Sequence, residues 1–109
     1  MATGPENPTR AALGLLVART AVDEGHEVQV FIAGDGVQLV REETAAAAQG
    51  IGTGSVAEHL EALRGAGVTV YLSGMSSKAR GIEGGKGYEL ATPQKLVELA
   101  VWSETTLVY

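Results

Sequence analysis

Cysteine is absent from all 109 residues. That excludes disulfides, thiolate metal sites and any thiol chemistry by this chain alone. Aromatic residues are scarce (one Trp, one Phe, three Tyr), and the net charge is −5 with no basic tract. Such a chain has neither a counterion-releasing patch nor a stacking platform, which argues against nucleic acid as a partner. No apolar run approaches a membrane span, and the N-terminus lacks the charged-then-apolar pattern of a signal peptide. Neither the two histidines nor the pair Glu6 and Asp35 has metal-ligand spacing, and no cofactor motif stands out. These absences predict a soluble cytoplasmic protein without metal, cofactor, nucleic acid or membrane.

Apolar residues make up 45% of the chain and charged residues only 19%, a globular composition. The length suits one domain over residues 1–109, able to bury roughly two-thirds of its unfolded surface. Asn7 before Pro8 reads as a helix cap followed by proline in the first turn, and the helix runs to Glu24 before Gly25. Glu27–Ala33 is β-branched and aromatic, hence a strand. It breaks at Gly34-Asp35-Gly36, after which Val37–Ala48 has helix-forming composition. Gly50–Gly54 reads as a flexible connection. Ser55 and Glu58 form a capping box for a helix ending near Gly65–Gly67, and Val68–Leu72 is a second strand. Ser73–Gly81 reads as a loop, Ile82–Gly87 as irregular, and Tyr88–Leu90 as a short edge strand. Thr92-Pro93 starts a last helix to about Ser103, and Thr106–Tyr109 closes as a strand. Strands alternating with helices point to a parallel sheet covered on both faces. A loop like Thr3–Asn7 should follow a strand, yet only two residues precede it; the expectation is a first strand reduced to a stub, or a sequence that starts late.

Loops leaving the carboxyl ends of parallel strands share one edge of the sheet, where open α/β sheets bind ligands. Three small-residue loops leave that way: Gly4, Glu6 and Asn7; Gly34, Asp35 and Gly36; and Ser73, Gly74, Met75, Ser76, Ser77, Lys78 and Arg80. Lys78, Arg80 and Lys86 are three of only eight cations, gathered within nine residues. They point to an anionic ligand or an acidic neighbouring subunit, against the alternative of a solvated cationic loop. Asp35 also suits ordering of its own Gly-Asp-Gly turn. The serines need a base to act as nucleophiles. His26 falls at the opposite edge, and His59 reads as a half-buried packing residue near the ligand edge. No catalytic residue is assigned. The first helix (Leu13, Leu15, Leu16, Val17, Val22) and the last (Leu96, Val97, Leu99, Val101, Trp102) are apolar on most faces. That predicts contact with another subunit, the alternative being a two-sided core.

The segments Gly4-Pro5-Glu6-Asn7-Pro8-Thr9-Arg10, Ala33-Gly34-Asp35-Gly36-Val37, Val70–Gly81 and Leu90–Val97, in that order and spacing, resemble the DsrE/DsrF-like family of small α/β proteins, which includes sulfur-relay subunits. The resemblance covers nearly the whole chain. It implies a three-layer α/β/α fold with a five-stranded, mostly parallel sheet and assembly into trimers or hexamers. It also implies a sulfur-transferring cysteine in the loop after Val68–Leu72, where this chain has Ser73, Met75, Ser76 and Ser77. A hydroxyl holds no persulfide and a thioether has no displaceable proton, so the family's best-known activity is removed from this chain. Three readings follow. The first is an oligomeric binder of a small anionic ligand. The second is a non-catalytic scaffold or regulatory subunit paired with a cysteine-bearing homologue in a sulfur-relay complex. The third is a hydrolase using Ser76 or Ser77 with His59.

Overall fold

A computed structural model describes all residues, Met1–Tyr109. The elements are α1 (Pro8–Asp23), β1 (Val30–Ile32), a 3-10 helix (Gly34–Val40), α2 (Glu42–Ala47), β2 (Gln49–Gly50), β3 (Gly54–Ser55), α3 (Val56–Gly65), β4 (Val70–Ser73), α4 (Gly74–Ala79), β5 (Tyr88–Ala91) and α5 (Pro93–Trp102). A parallel sheet in the order β1-β4-β5 is flanked by helices, and β2 and β3 form a small antiparallel hairpin. No helix is long and apolar enough to cross a membrane.

Local chemistry sets the helix ends. Asn7 Oδ1 accepts from the Arg10 N–H, and the Ser55 and Thr92 hydroxyls accept from Glu58 and Lys95, each satisfying a donor the helix cannot. Both α1 and α3 stop at a glycine in the left-handed region, Gly25 (φ 89°) and Gly67 (φ 81°). Around each, paired bonds return to the last turn, Gly25 to Val22 with His26 to Ala21, and Gly67 to Arg64 with Val68 to Leu63. That is the Schellman arrangement.

Val30 pairs with Val70 and Ile32 with Leu72, and all four are buried together with Ala11, Ala12 and Leu15 of α1 and Val56, Leu60 and Leu63 of α3. This is the packed face of the sheet. The second face presents Phe31 and Tyr71; α5 reaches it through Lys95, whose Nζ lies 5.2 Å from the Tyr71 ring centroid. Although α5 is rich in Leu, Val and Trp, it buries none of its residues.

Several expectations change. Val37–Ala48 is not one helix but a 3-10 helix and the short α2. Ser73–Gly81 is mostly helical, as α4. Gly50–Gly54 is no slack connection: the hairpin is pinned to α1, with Thr9 Oγ1 accepting from the Ile51 N–H and the Thr53 hydroxyl donating to Thr9 O. Thr106–Tyr109 forms no strand. Its one backbone bond is from the Ala2 N–H to Tyr109 O, 2.9 Å, while Met1 bonds β1 on its other side through Phe31 O and the Ala33 N–H. The main sheet therefore has three strands, not the five the resemblance implies, with Met1-Ala2 and Tyr109 marking two further positions beside β1. Burial lowers the Met1 amine below its usual range. Burial likewise raises the Tyr88 phenol, against a smaller downward pull from Arg64.

The turn before β5 carries a local cost. Gly85 and Tyr88 exchange backbone bonds of 2.8 and 3.0 Å, and the residues between them, Lys86 (φ 54°) and Gly87 (φ 90°), are both left-handed. That is the type I′ signature, which favours Asn-Gly. Lys86→Asn is expected to raise stability by about 1 kcal/mol, since Asn enters this region more cheaply than a long side chain. Urea denaturation measures it. The lost ion pair with Glu42 (3.8 Å, both side chains more than 80% exposed) subtracts little.

Candidate functional site

The parallel pairing of β1 and β4 brings their carboxyl ends side by side, so the Gly34–Gly36 turn and Ser73 share one edge. The N-terminal loop joins them by close approach. A Cβ on Gly4 would stand 2.3 Å from Asp35 O, so only glycine seats this loop on the turn. The Gly36 N–H donates to Ala2 O at 3.1 Å, and the Gly34 N–H donates to the Ser76 hydroxyl at 2.9 Å. Arg80 closes the cluster. Its Nε and Nη2 donate to Asp35 Oδ1 at 3.3 and 3.0 Å, and its Nη1 donates to Ser76 O at 3.1 Å. The three expected loops do meet.

They meet by satisfying one another. A phosphate-binding loop aims free backbone N–H groups at its ligand. Here Gly4 N–H goes to Glu6 Oε1, Gly34 N–H to Ser76, Gly36 N–H to the backbone, and Ser76 N–H to the Ser73 hydroxyl. Asn7 is a helix cap. The Arg80 charge is offset by Asp35 across an ion pair whose side chains are 29% and 60% exposed. Lys78 is exposed and makes no ion pair, and Met75 is 74% exposed. Lys78 and Gly74 border a cleft of about 430 Å³ with Gly81, Ile82, Glu83 and Leu90. Glu83 adds a carboxylate to the same lining as Lys78.

Lys86 does not belong with Lys78 and Arg80. Its carbonyl accepts from Arg64 at the end of α3, and it precedes Tyr88, which pairs with Val70 at the start of β4. It therefore lies at the amino edge of the sheet. His26 is exposed at that edge too, beside a second cleft of about 410 Å³ that Trp102 also borders. His59 is buried, with Nε2 2.8 Å from Thr53 O and Nδ1 3.5 Å from Arg19 Nη1. Because Thr53 O can only accept and Arg19 can only donate, Nε2 carries the proton. Both ring nitrogens are engaged away from the serines, so no Ser–His pair forms. Sequence reasoning missed Arg41, whose Nη2 donates to Arg80 O and ties the start of α2 to the end of α4. An arginine between two helical segments offers no local sign of that role.

Two substitutions test this geometry. Asp35→Ala should free the Arg80 guanidinium, so sulfate or thiosulfate should raise the melting temperature of the variant more than that of the parent. Ser77 is fully buried and its hydroxyl has no hydrogen-bond partner. Ser77→Ala should therefore stabilise the fold by about 1 kcal/mol in urea denaturation, by removing an unsatisfied polar atom.

No curated protein matches the chain. Among solved structures, the crystal structure of the ychN protein from E. coli superposes with a TM-score of 0.79 at 20% identity, covering 99% of this chain and 93% of that one. At that identity the likeness speaks for the fold. The profile of the DsrE/DsrF-like family matches residues 1–109. With the glycine-linked loops at the carboxyl edge and the parallel sheet beneath them, this full-length match establishes that the chain belongs to the DsrE/DsrF-like family.

Proposed function

We propose that this chain is a non-catalytic subunit of a DsrE-type assembly, built from copies of itself through α5 and taking part in sulfur-relay-type chemistry without a thiol of its own. The observation that carries the reading is α5, an apolar helix with no fully buried residue within its own subunit. Val101 is 81% and Trp102 48% exposed, with Leu96 and Val97 beside them. Contiguous apolar surface of this kind marks an interface. A second copy suits it because the face carries no net charge: Lys95 and Glu98 pair with each other at 3.7 Å. Two chains of net charge −5 repel elsewhere but not there. Trimers or hexamers are the expected sizes.

A second reading, binding of a small anion, keeps one favourable observation. Lys78 is a cation without an ion-pair partner beside the cleft of Gly74, Gly81 and Leu90. It is the weaker reading, because Arg80 is offset by Asp35 and the N–H groups of Gly4, Gly34, Gly36 and Ser76 are taken.

Light scattering after gel filtration tests the assembly. The parent chain should have the mass of three chains or a multiple. Trp102→Glu should lower it to the monomer or cause aggregation, because a carboxylate cannot be desolvated against the apolar face. A monomeric parent, or a variant of unchanged mass, would place the interface elsewhere.

A further inference from the structure

The cleft beside α4 holds two opposite charges that do not cancel each other. Three stretches of chain wall it. Gly74 and Lys78 are four residues apart on α4 and so share one face of that helix. Gly81, left-handed at φ 67°, turns the chain out of α4, and the Ile82 N–H donates to Ser77 O at 2.9 Å. Ile82 is part of the buried core. That anchor fixes where Glu83 begins, although Glu83 itself is exposed. From β5 comes Leu90, paired in register with buried Leu72 yet 47% exposed. Gly84 lies close against it, since a Cβ there would stand 3.2 Å from Leu90 Cγ. The cleft measures about 430 Å³, within the range of small-ligand sites, roughly 300–1,000 Å³.

The ion pairs of the chain are Arg80–Asp35, Lys86–Glu42 and Lys95–Glu98. Lys78 and Glu83 enter none of them, although both line this cleft. Arg80, two residues on, has its charge offset; Lys78 does not. A simple anion here meets Lys78 and the Glu83 carboxylate together, and the two act on it with opposite sign. A simple cation meets the same cancellation in reverse. A ligand that carries both charges gains from each. The apolar part of the lining, Leu90 with Ile82, adds contact for a short hydrocarbon group.

We propose that this cleft binds a small aliphatic α-amino acid as its zwitterion. The ligand carboxylate meets Lys78 Nζ, its ammonium meets the Glu83 carboxylate, and its alkyl side chain lies on Leu90. No bond is made or broken; the cleft is a binding site. The anion reading uses Lys78 alone, whereas this one needs Glu83 as well, and neither residue belongs to α5, so it holds whether or not the chain assembles. Both charges are exposed, so each contact is screened, and the affinity expected is in the millimolar range.

Amide chemical-shift titration of the full chain with L-leucine tests it. Saturable shifts should centre on Lys78, Gly81, Glu83 and Leu90. N-acetyl-L-leucine keeps only the negative charge and L-leucine methyl ester only the positive one, so each should bind about fivefold more weakly or worse. Lys78→Gln and Glu83→Gln should each weaken leucine by a similar factor. Both positions are exposed, and unchanged shifts in β1 and β4 would show that the fold is kept. Glu83→Gln should also tighten N-acetyl-L-leucine, because it removes the repelling carboxylate. N-acetyl-L-leucine binding as well as leucine, with Glu83→Gln leaving leucine unaffected, would overturn the proposal in favour of a plain anion site. Absence of saturable shifts at these amides with leucine would overturn it outright, and would leave assembly through α5 untouched.

Discussion

The parallel pairing of β1 with β4 is the constraint from which the remaining structure follows. Val30, Ile32, Val70 and Leu72 are all buried, and a parallel pair needs a long crossover with cover on its face. The crossover here holds the 3-10 helix, α2, the pinned hairpin and α3, and it packs α3 against α1 over those four side chains. Fully burying an aliphatic residue contributes about 1.5–3 kcal/mol, so this face outweighs any polar contact in the molecule. Because both strands run the same way, their outgoing loops must lie on one edge. The cluster of Gly4, Asp35, Ser76 and Arg80 is a consequence of that direction.

Crowding then decides what the edge can do. Three loops forced together leave their donors and acceptors within reach of each other, and a polar group without water needs a partner. Ser73 caps α4, Ser76 accepts from Gly34, and Arg80 bonds Asp35 and Ser76 O at once. The Arg80–Asp35 pair is partly solvated, so its contribution to stability is at most about 1 kcal/mol. Its larger effect is electrostatic, since it removes the strongest candidate charge from the ligand edge. With no thiol in the chain, the edge is a self-satisfied latch.

The second face of the sheet is the counterpart of the first. One layer of helices is packed and the other, α5, is uncovered. An apolar helix left in water forfeits the same few kcal/mol per side chain that α1 and α3 gain. This imbalance, not the geometry of the loops, carries the functional reading.

By itself the sequence determined whatever depends on near neighbours. The caps at Asn7, Ser55 and Thr92, the stops at Gly25 and Gly67, and the two buried strands were legible because each rests on residues a few positions apart. So were the family and the meeting of three loops, which follow from the order of elements. What only the tertiary structure decided depends on distant partners. The Ser73–Gly81 stretch is rich in Gly and Ser, a loop composition, yet Gly74–Ala79 is helical. There the Ser73 cap and contacts from Gly34 and Arg41 override propensity. Lys86 moved to the opposite edge because the chain doubles back before β5. Thr106–Tyr109 has strand composition but no ladder, since a strand exists only where a neighbour offers its backbone. The charge of Arg80 was offset by a carboxylate 45 residues away, a pairing set by the crossover between β1 and β4 and by nothing local to either residue.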